Sequence, residues 1–182
     1  MYYYTAVYPS PVGMITLACD GTGSHLVGLW IEGQKYHGES VPEAMLPNSG
    51  MPILGIAQKW LDRYFAGKRP DIAELSLAPI GSDFRQKVWS ILREIPYGEV
   101  ITYGDIAKKM AVKMKRETMS SQAIGGAVGH NPISIIIPCH RVVGSNGSLT
   151  GYAGGIKTKI KLLELEGVEP SRFFIPKTGT AL

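Results

Sequence analysis

Cysteine is almost missing from this chain: only Cys19 and Cys139 occur in 182 residues. A disulfide scaffold is thereby excluded, and neither thiol has a second cysteine at the spacing of a zinc or redox motif. Long apolar runs are missing as well, and no stretch approaches the roughly 18 to 20 residues of a membrane helix. The N-terminus, Met1-Tyr2-Tyr3-Tyr4-Thr5, lacks a basic segment followed by an apolar one, so the expected location is cytoplasmic, with no membrane association. A reducing compartment also keeps a lone thiol free. What is present suits an ordered protein of one compact domain or two small ones, at 45% hydrophobic and 19% charged residues. The formal charge of +4 favours a polyanionic partner without choosing among nucleic acid, phosphate and acidic surfaces.

The first third is strand-like. Tyr4, Ala6 and Tyr8 alternate, Met14 to Ala18 follows a Pro11-Val12-Gly13 turn, and Leu26 to Ile31 is a further apolar run, which together predict a small antiparallel sheet. Ile53 to Phe65 reads as a helix with Ile56, Trp60, Leu61 and Tyr64 on its buried stripe. Pro79 and Gly81 mark a boundary, giving domains at 1–80 and 81–182. Beyond it, Ser82 caps a helix through Val88, Ile91 and Leu92, and Pro96-Tyr97-Gly98 closes it. Thr102 and Asp105 form a capping-box start for a helix through Ile106 and Met110, and Ser120 or Ser121 caps another through Ile124 and Val128. Two short helices in tandem predict a helix-turn-helix. Lys108, Lys109, Lys113, Lys115 and Arg116 between them read first as a solvated face. Gly125, Gly126 and Gly129 in the second helix shift that balance. Each costs about 1 kcal/mol of helix propensity relative to Ala, which suggests close backbone approach of a partner such as a nucleic-acid groove.

The chemistry concentrates near residue 139. Ile133 to Ile137 is short, β-branched and apolar on both faces, the pattern of a buried strand, and Pro138 stops it before Cys139-His140-Arg141. Thiolate is the nucleophilic form and a free thiol titrates near about 8.5, so an activating neighbour is needed. His140 is the candidate base. Adjacent residues on an extended chain point to opposite sides, so it is expected to act through a water. Glu166 lies on the apolar stripe of a helix from about Lys157, in the last turn before Gly167. The helix dipole disfavours an anion there, and a compensating cation is expected. An inert buried thiol is the ordinary reading of a lone cysteine, but Pro138, His140 and Arg141 do not frame a structural one.

The run Ile137-Pro138-Cys139-His140-Arg141-Val142-Val143 resembles the active-site signature of the O6-alkylguanine-DNA alkyltransferases, the methylated-DNA-protein-cysteine methyltransferases. The likeness covers about 82–167 closely, including Tyr97-Gly98-Glu99-Val100, Gly125-Gly126-Ala127, Asn131-Pro132, Gly151-Tyr152 and Gly154-Gly155, and the N-terminal unit more loosely. It implies an α+β protein: a small ribonuclease-H-like domain, then a mostly helical, winged helix-turn-helix-like domain that enters the minor groove and flips the damaged base. The implied reaction is direct reversal, a single irreversible transfer of the alkyl group from O6-alkylguanine in DNA, with O4-alkylthymine as a further substrate, to Cys139. No cofactor and no metal are implied. In that resemblance His140 is the base through water, Glu166 orients it, Asn131 braces the turn, and Tyr103 helps rotate the nucleotide and hydrogen-bonds to the leaving guanine. The carbonyls of Cys139 and Val142 read the exocyclic amine, and Tyr152 and Ala153 line the pocket. Gln122, Ala123, Gly125, Gly126 and Arg141 contact DNA. The partner is double-stranded DNA containing O6-alkylguanine, with no obligate protein partner, bound by a monomer.

Three departures stand out. Gln122 occupies the place of an arginine that fills the vacated base stack, the segment 108–121 is longer and more basic than in compact relatives, and Ala153 replaces a serine that could donate to O6. Cys19 and His25 resemble half a zinc site and are read as packing and surface residues, since two ligands are not four. Two rival readings remain: a lesion-binding protein without alkyl transfer, and a Cys-His hydrolase, for which no oxyanion-hole motif is visible.

Overall fold

The structure is a computed structural model that describes residues 2–177; Met1 and residues 178–182, the ends of the two expected domains, lie outside the described residues. The chain divides into two compact units, Met1–Gly81 with Pro132–Ile136, and Ser82–Asn131 with Ile137–Leu182. The first unit therefore contains five residues from the middle of the second half of the sequence.

In the first unit, β1 (Tyr3–Ser10) and β2 (Gly13–Cys19) form an antiparallel hairpin, β3 (Leu26–Ile31) pairs antiparallel with β2, and β4 (Met45–Pro47) runs parallel to β1. The sheet order is β3-β2-β1-β4. The expected three strands are present. β4 is only three residues long and carries no apolar alternation, so periodicity did not indicate it. Helix α1 (Pro52–Phe65) starts on a proline at its first turn and buries Ile53, Leu54, Ala57, Trp60, Leu61 and Tyr64. The expected stripe is corrected in one position: Ile56 is 47% exposed, because it lies about 100° around the helix from Ala57, which faces the sheet.

Every residue of β3 is buried although β3 is the edge strand. Its free backbone groups are completed by irregular segments. Leu26 N–H donates to Ser76 O and Leu26 O accepts from Ala78 N–H, while Leu29 N–H donates to Pro132 O (2.9 Å) and Leu29 O accepts from Ser134 N–H (3.0 Å). Gln34 adds a polar tie, its buried Oε1 accepting from Ile31 N–H (2.7 Å) and Ser134 Oγ (3.2 Å).

These contacts overturn the expected strand at Ile133 to Ile137. Only Ile133 makes a bridge, to Leu29, and the chain then turns. Ile136 N–H donates to Ser134 O (2.8 Å) around Ile135, whose φ is 70°, a region β-branched residues rarely enter. Cys139 N–H donates to Ile137 O (2.8 Å) around Pro138 (φ −83°, ψ 64°), an inverse γ-turn. A buried apolar run needs partners for its backbone, not necessarily a sheet, and here Leu29 and two tight turns supply them.

In the second unit, α2 (Asp83–Leu92) is capped by Ser82 Oγ, which accepts from Arg85 N–H. A two-residue strand β5 (Ile101–Thr102) leads into α3 (Tyr103–Lys113), whose capping box joins Thr102 and Asp105 as expected. Ser120 caps α4 (Ser121–Gly129). α2, α3 and α4 pack on one another through Val88, Trp89, Ile91, Ile106, Met110, Ile124, Ala127 and Val128, and the Trp89 indole N–H donates to Ala127 O (2.8 Å). Residues Cys139–Arg141 form one turn of 3-10 helix, followed by β6 (Val142–Val143), parallel to β5. α5 (Ile156–Leu165) closes the unit, with Glu166 as its C-cap and Gly167 at φ 80°. Among the described residues no helix is long and apolar enough to cross a membrane.

Candidate active site

Seven side chains that the sequence singled out, Tyr103, Asn131, Cys139, His140, Arg141, Tyr152 and Glu166, lie in the second unit. The β5–β6 pairing places Tyr103, which follows β5, beside the chain that leaves the Cys139–Arg141 turn through Val142. Cys139 is a buried free thiol. The Asn131 amide donates both to Cys139 Sγ (3.1 Å) and to Ile137 O (2.7 Å), so one side chain holds the sulfur and the turn that presents it. Burial pushes the Cys139 thiol up. The Asn131 N–H, the positive charge of Lys159 and the backbone N–H groups of Cys139 and His140 favour the thiolate against it.

His140 is fully buried, and its Nε2 lies 2.7 Å from Glu166 Oε1. Burial lowers the imidazole, with Glu166 acting in the opposite direction, and so favours the neutral ring. A carboxylate can only accept, so Nε2 carries the proton and Nδ1 is the basic nitrogen. Nδ1 has no protein partner among the described residues and is free to take a proton. The Tyr152 ring stands edge-on to the imidazole at 6.5 Å.

Glu166 joins the parts of this arrangement. Its Oε1 accepts from His140 and from Arg141 Nη2 (2.9 Å), and its Oε2 from Arg141 Nε (2.8 Å) and the Gly98 N–H (3.2 Å). Burial works to raise the carboxyl, but the hydrogen bonds from His140 and Arg141 hold it well below the ordinary carboxylate range. The cation expected to offset the helix dipole is thus Arg141. The DNA contact expected of Arg141 is corrected accordingly: its remaining Nη1 donates to Ile95 O (2.7 Å), its guanidinium lies over the Tyr97 ring, and its side chain is 10% exposed.

Two contributors were given no part in the site by the sequence, one of them a residue of the Pro96-Tyr97-Gly98 turn. Lys159, on α5, is fully buried with its Nζ on Val142 O (2.5 Å) and Thr150 O (3.0 Å). Burial lowers its ammonium to about 8, with the Cys139 charge opposing. Amphipathic helix patterning assigns such a lysine to solvent. Gly98 (φ 78°) is the second; a Cβ there would come 3.0 Å from Glu166 O, and its N–H reaches Glu166 Oε2. Tyr97, beside it, donates its hydroxyl to Leu165 O (3.1 Å), so the Tyr97-Gly98 turn grips the end of α5.

Tyr103 donates its hydroxyl to Thr150 O (3.1 Å), and burial, helped by the Cys139 charge, raises its phenol to about 12, leaving it a proton donor. Val142 O, expected to read a base, already accepts from Lys159, and Cys139 O from Val142 N–H; each keeps a second lone pair. Ala153 is half-buried. On α4, Gln122, Ala123 and Gly126 are exposed and Gly125 half-buried. In the first unit Cys19 is buried in β2, and the His25 ring lies 2.8 Å from Asp20 Oδ2.

Comparison with known proteins matches this arrangement to one family. The sequence model of the 6-O-methylguanine DNA methyltransferase ribonuclease-like domain matches residues 2–79, and that of the DNA binding domain of the same family matches residues 83–168. The chain belongs to the 6-O-methylguanine DNA methyltransferase family. The methylated-DNA–protein-cysteine methyltransferase of Methanosarcina acetivorans is 44% identical over 167 residues, 92% of this chain and 99% of that protein. The protein of the same description from Haemophilus influenzae is 38% identical over 166 residues, 91% and 87% of the two chains. Among solved structures, Mycobacterium tuberculosis OGT in complex with DNA superposes with a TM-score of 0.74 at 40% identity, covering 95% of each chain. The α+β class with a ribonuclease-like first domain and a helical DNA-binding domain agrees with these methyltransferases.

In this methyltransferase the Glu166 pairing carries a pH signature. A carboxyl held low in the folded state stabilises the fold above its unfolded value and loses that contribution as pH falls through the folded value. Stability is therefore expected to decline on acidification from about pH 4.5, the ordinary value of the group, downward. Glu166→Gln leaves Arg141 buried without its anion and should cost about 3–5 kcal/mol at neutral pH in urea unfolding, with a weaker acid dependence. A loss below about 1 kcal/mol, the range of exposed pairs, would contradict the geometry.

Proposed function

We propose that this protein reverses O6-alkylation of guanine in double-stranded DNA by taking the alkyl group onto Cys139 Sγ, once per molecule. The observation that carries the reading is the Asn131-held thiol of Cys139 next in sequence to a His140 whose free nitrogen is fixed as Nδ1 by Glu166. Family membership supplies the reaction class, direct-reversal repair by transfer to a protein cysteine.

The thiol proton passes to His140 Nδ1, through a bridging water, and Lys159 and Asn131 favour the sulfur anion left behind. Sulfur attacks the alkyl carbon, the S–C bond forms as the C–O6 bond breaks, and the electron pair leaves with guanine. Tyr103 hydrogen-bonds to the departing base and supplies a proton, so that it leaves neutral. The imidazolium of His140 then gives up its proton to solvent and the Tyr103 phenolate takes one back, so that over the whole reaction the proton lost by the thiol is the one gained by the base and no cofactor is needed. A thioether is a poor leaving group, and the alkyl group stays on Cys139. The backbone carbonyls of Cys139 and Val142, through their second lone pairs, and the Tyr152–Ala153 wall favour guanine in the pocket. The free thiol on which the reaction depends fits a cytoplasmic location, since reducing conditions preserve it.

α4 is the DNA-facing helix in this reading. A Cβ on Gly125, Gly126 or Gly129 would meet nothing within 4 Å inside the protein, so its own packing does not require these glycines. Their helix-propensity cost points to an external surface that needs close backbone approach. Gln122, on the same exposed turn, can hydrogen-bond to the orphaned base, with less reach and charge than an arginine.

Intact-protein mass spectrometry after mixing with a duplex bearing one O6-methylguanine tests the reaction. One methyl mass on the Cys139 peptide, absent in Cys139→Ala, is the expected result. Binding without an adduct would favour a lesion sensor, and repeated ester turnover a hydrolase. Gly126→Ala separates helix stability from DNA approach: it should stabilise by up to about 1 kcal/mol, or about 2–4 °C in Tm, while weakening duplex binding. Unchanged binding in that variant would move the DNA face away from α4.

A further inference from the structure

Residues 105–117 hold five Lys and Arg side chains against two carboxylates, a net +3 in a chain whose formal charge is +4. Lys108 and Lys109 lie on the exposed face of α3, and Lys115 and Arg116 follow on the exposed turn that leads to the α4 cap at Ser120. The remaining members of the segment are committed or opposed. Lys113 donates to Ser90 Oγ (3.2 Å), Asp105 is fixed in the capping box by Thr102, and Glu117 is an exposed carboxylate next to Arg116. Lys108, Lys109, Lys115 and Arg116 make no side-chain hydrogen bond or ion pair among the described residues, although Lys108 and Lys109 feel the Asp105 charge.

Lys115 carries a second observation. Its φ is 53°, the left-handed conformation just past the C-cap Met114, where glycine is the favoured residue. The position keeps a long cation at the expense of backbone strain that glycine would relieve, and no internal contact of the Lys115 side chain compensates. An external anion would.

We propose that this basic turn is a second DNA contact, a phosphate-gripping face for the backbone of the duplex next to the stretch met by α4, indifferent to sequence and to damage. The proposal rests on the reading that duplex DNA is the substrate. From Lys108 to the end of α3 at Lys113 the helix rises about 7.5 Å at roughly 1.5 Å per residue, with Lys115 and Arg116 beyond it, and a duplex presents one negative charge per about 1.7 Å of its axis. Several phosphates therefore lie within reach of four mobile side chains. The turn supplies grip and search affinity, while recognition of the lesion stays with α4 and the Cys139 pocket.

The test is a salt titration of the full chain on a fluorescent undamaged duplex and on the same duplex carrying one O6-methylguanine. The wild type is compared with the variant Lys108→Gln, Lys109→Gln, Lys115→Gln, Arg116→Gln and with Lys115→Gly alone, each checked by thermal melting. In the fourfold variant the slope of log affinity against log salt should fall by about one for each cation engaged, and both duplexes should lose affinity by the same factor. The transfer rate at saturating lesion duplex should not change. Lys115→Gly should melt no lower than wild type while losing about one unit of slope, a combination that a structural role for Lys115 does not give. An unchanged slope in the fourfold variant, or a loss confined to the lesion duplex, overturns the proposal, the first outcome pointing to an acidic protein surface instead. If wild type transfers no alkyl group yet shows the steep slope that the variant lacks, the repair reading fails and the phosphate face stands.

Discussion

The buried carboxylate of Glu166, accepting four hydrogen bonds at the end of α5, is the constraint around which the second unit is arranged. An ionised carboxyl out of water is tolerable only when its lone pairs are answered, and each answering group fixes a different piece of chain. The Gly98 N–H fixes the turn after α2, Arg141 ties that turn again through Ile95 O, and His140 is left with a single orientation and a single basic nitrogen. Since His140 and Arg141 follow Cys139 in the same 3-10 turn, the carboxylate also sets where the sulfur is held.

The thiol is kept in a condition that suits a nucleophile used once. Burial raises it and shields it from adventitious electrophiles, while Asn131, Lys159 and two backbone N–H groups stand ready to stabilise the anion. Lys159 is itself costly to bury, and its ammonium is answered by Val142 O and Thr150 O, the second of which also accepts from Tyr103. Tyr103 and Lys159 thus share one carbonyl, which links the phenol to the cation that favours the sulfur anion.

Much of this was legible in the residue pattern, and the exceptions have physical reasons. Helix starts were readable because Ser82, Thr102 with Asp105, and Ser120 satisfy local donors, and local hydrogen bonds follow sequence spacing. The Ile133 to Ile137 run was misread because a β-branched buried segment has the same composition whether a sheet or a set of tight turns meets its backbone, and the deciding partners, Leu29 and Gln34, lie about a hundred residues away. The DNA contact of Arg141 came with the family resemblance, which carries no information on side-chain partners, whereas Glu166 captures the guanidinium. Lys159 was invisible because helix patterning assigns a lysine to solvent, while this one is fully buried. The cysteine, its histidine and the distant glutamate were legible as chemistry; that one carboxylate serves both the imidazole and the guanidinium was not.

The central claim, that Glu166 fixes His140 as a neutral base with Nδ1 open, is tested most directly by nitrogen NMR of the His140 ring in the unreacted protein at neutral pH. A neutral imidazole with the proton on Nε2 and a bare Nδ1 is the predicted result. A ring protonated on Nδ1 alone, or a doubly protonated imidazolium, would contradict it.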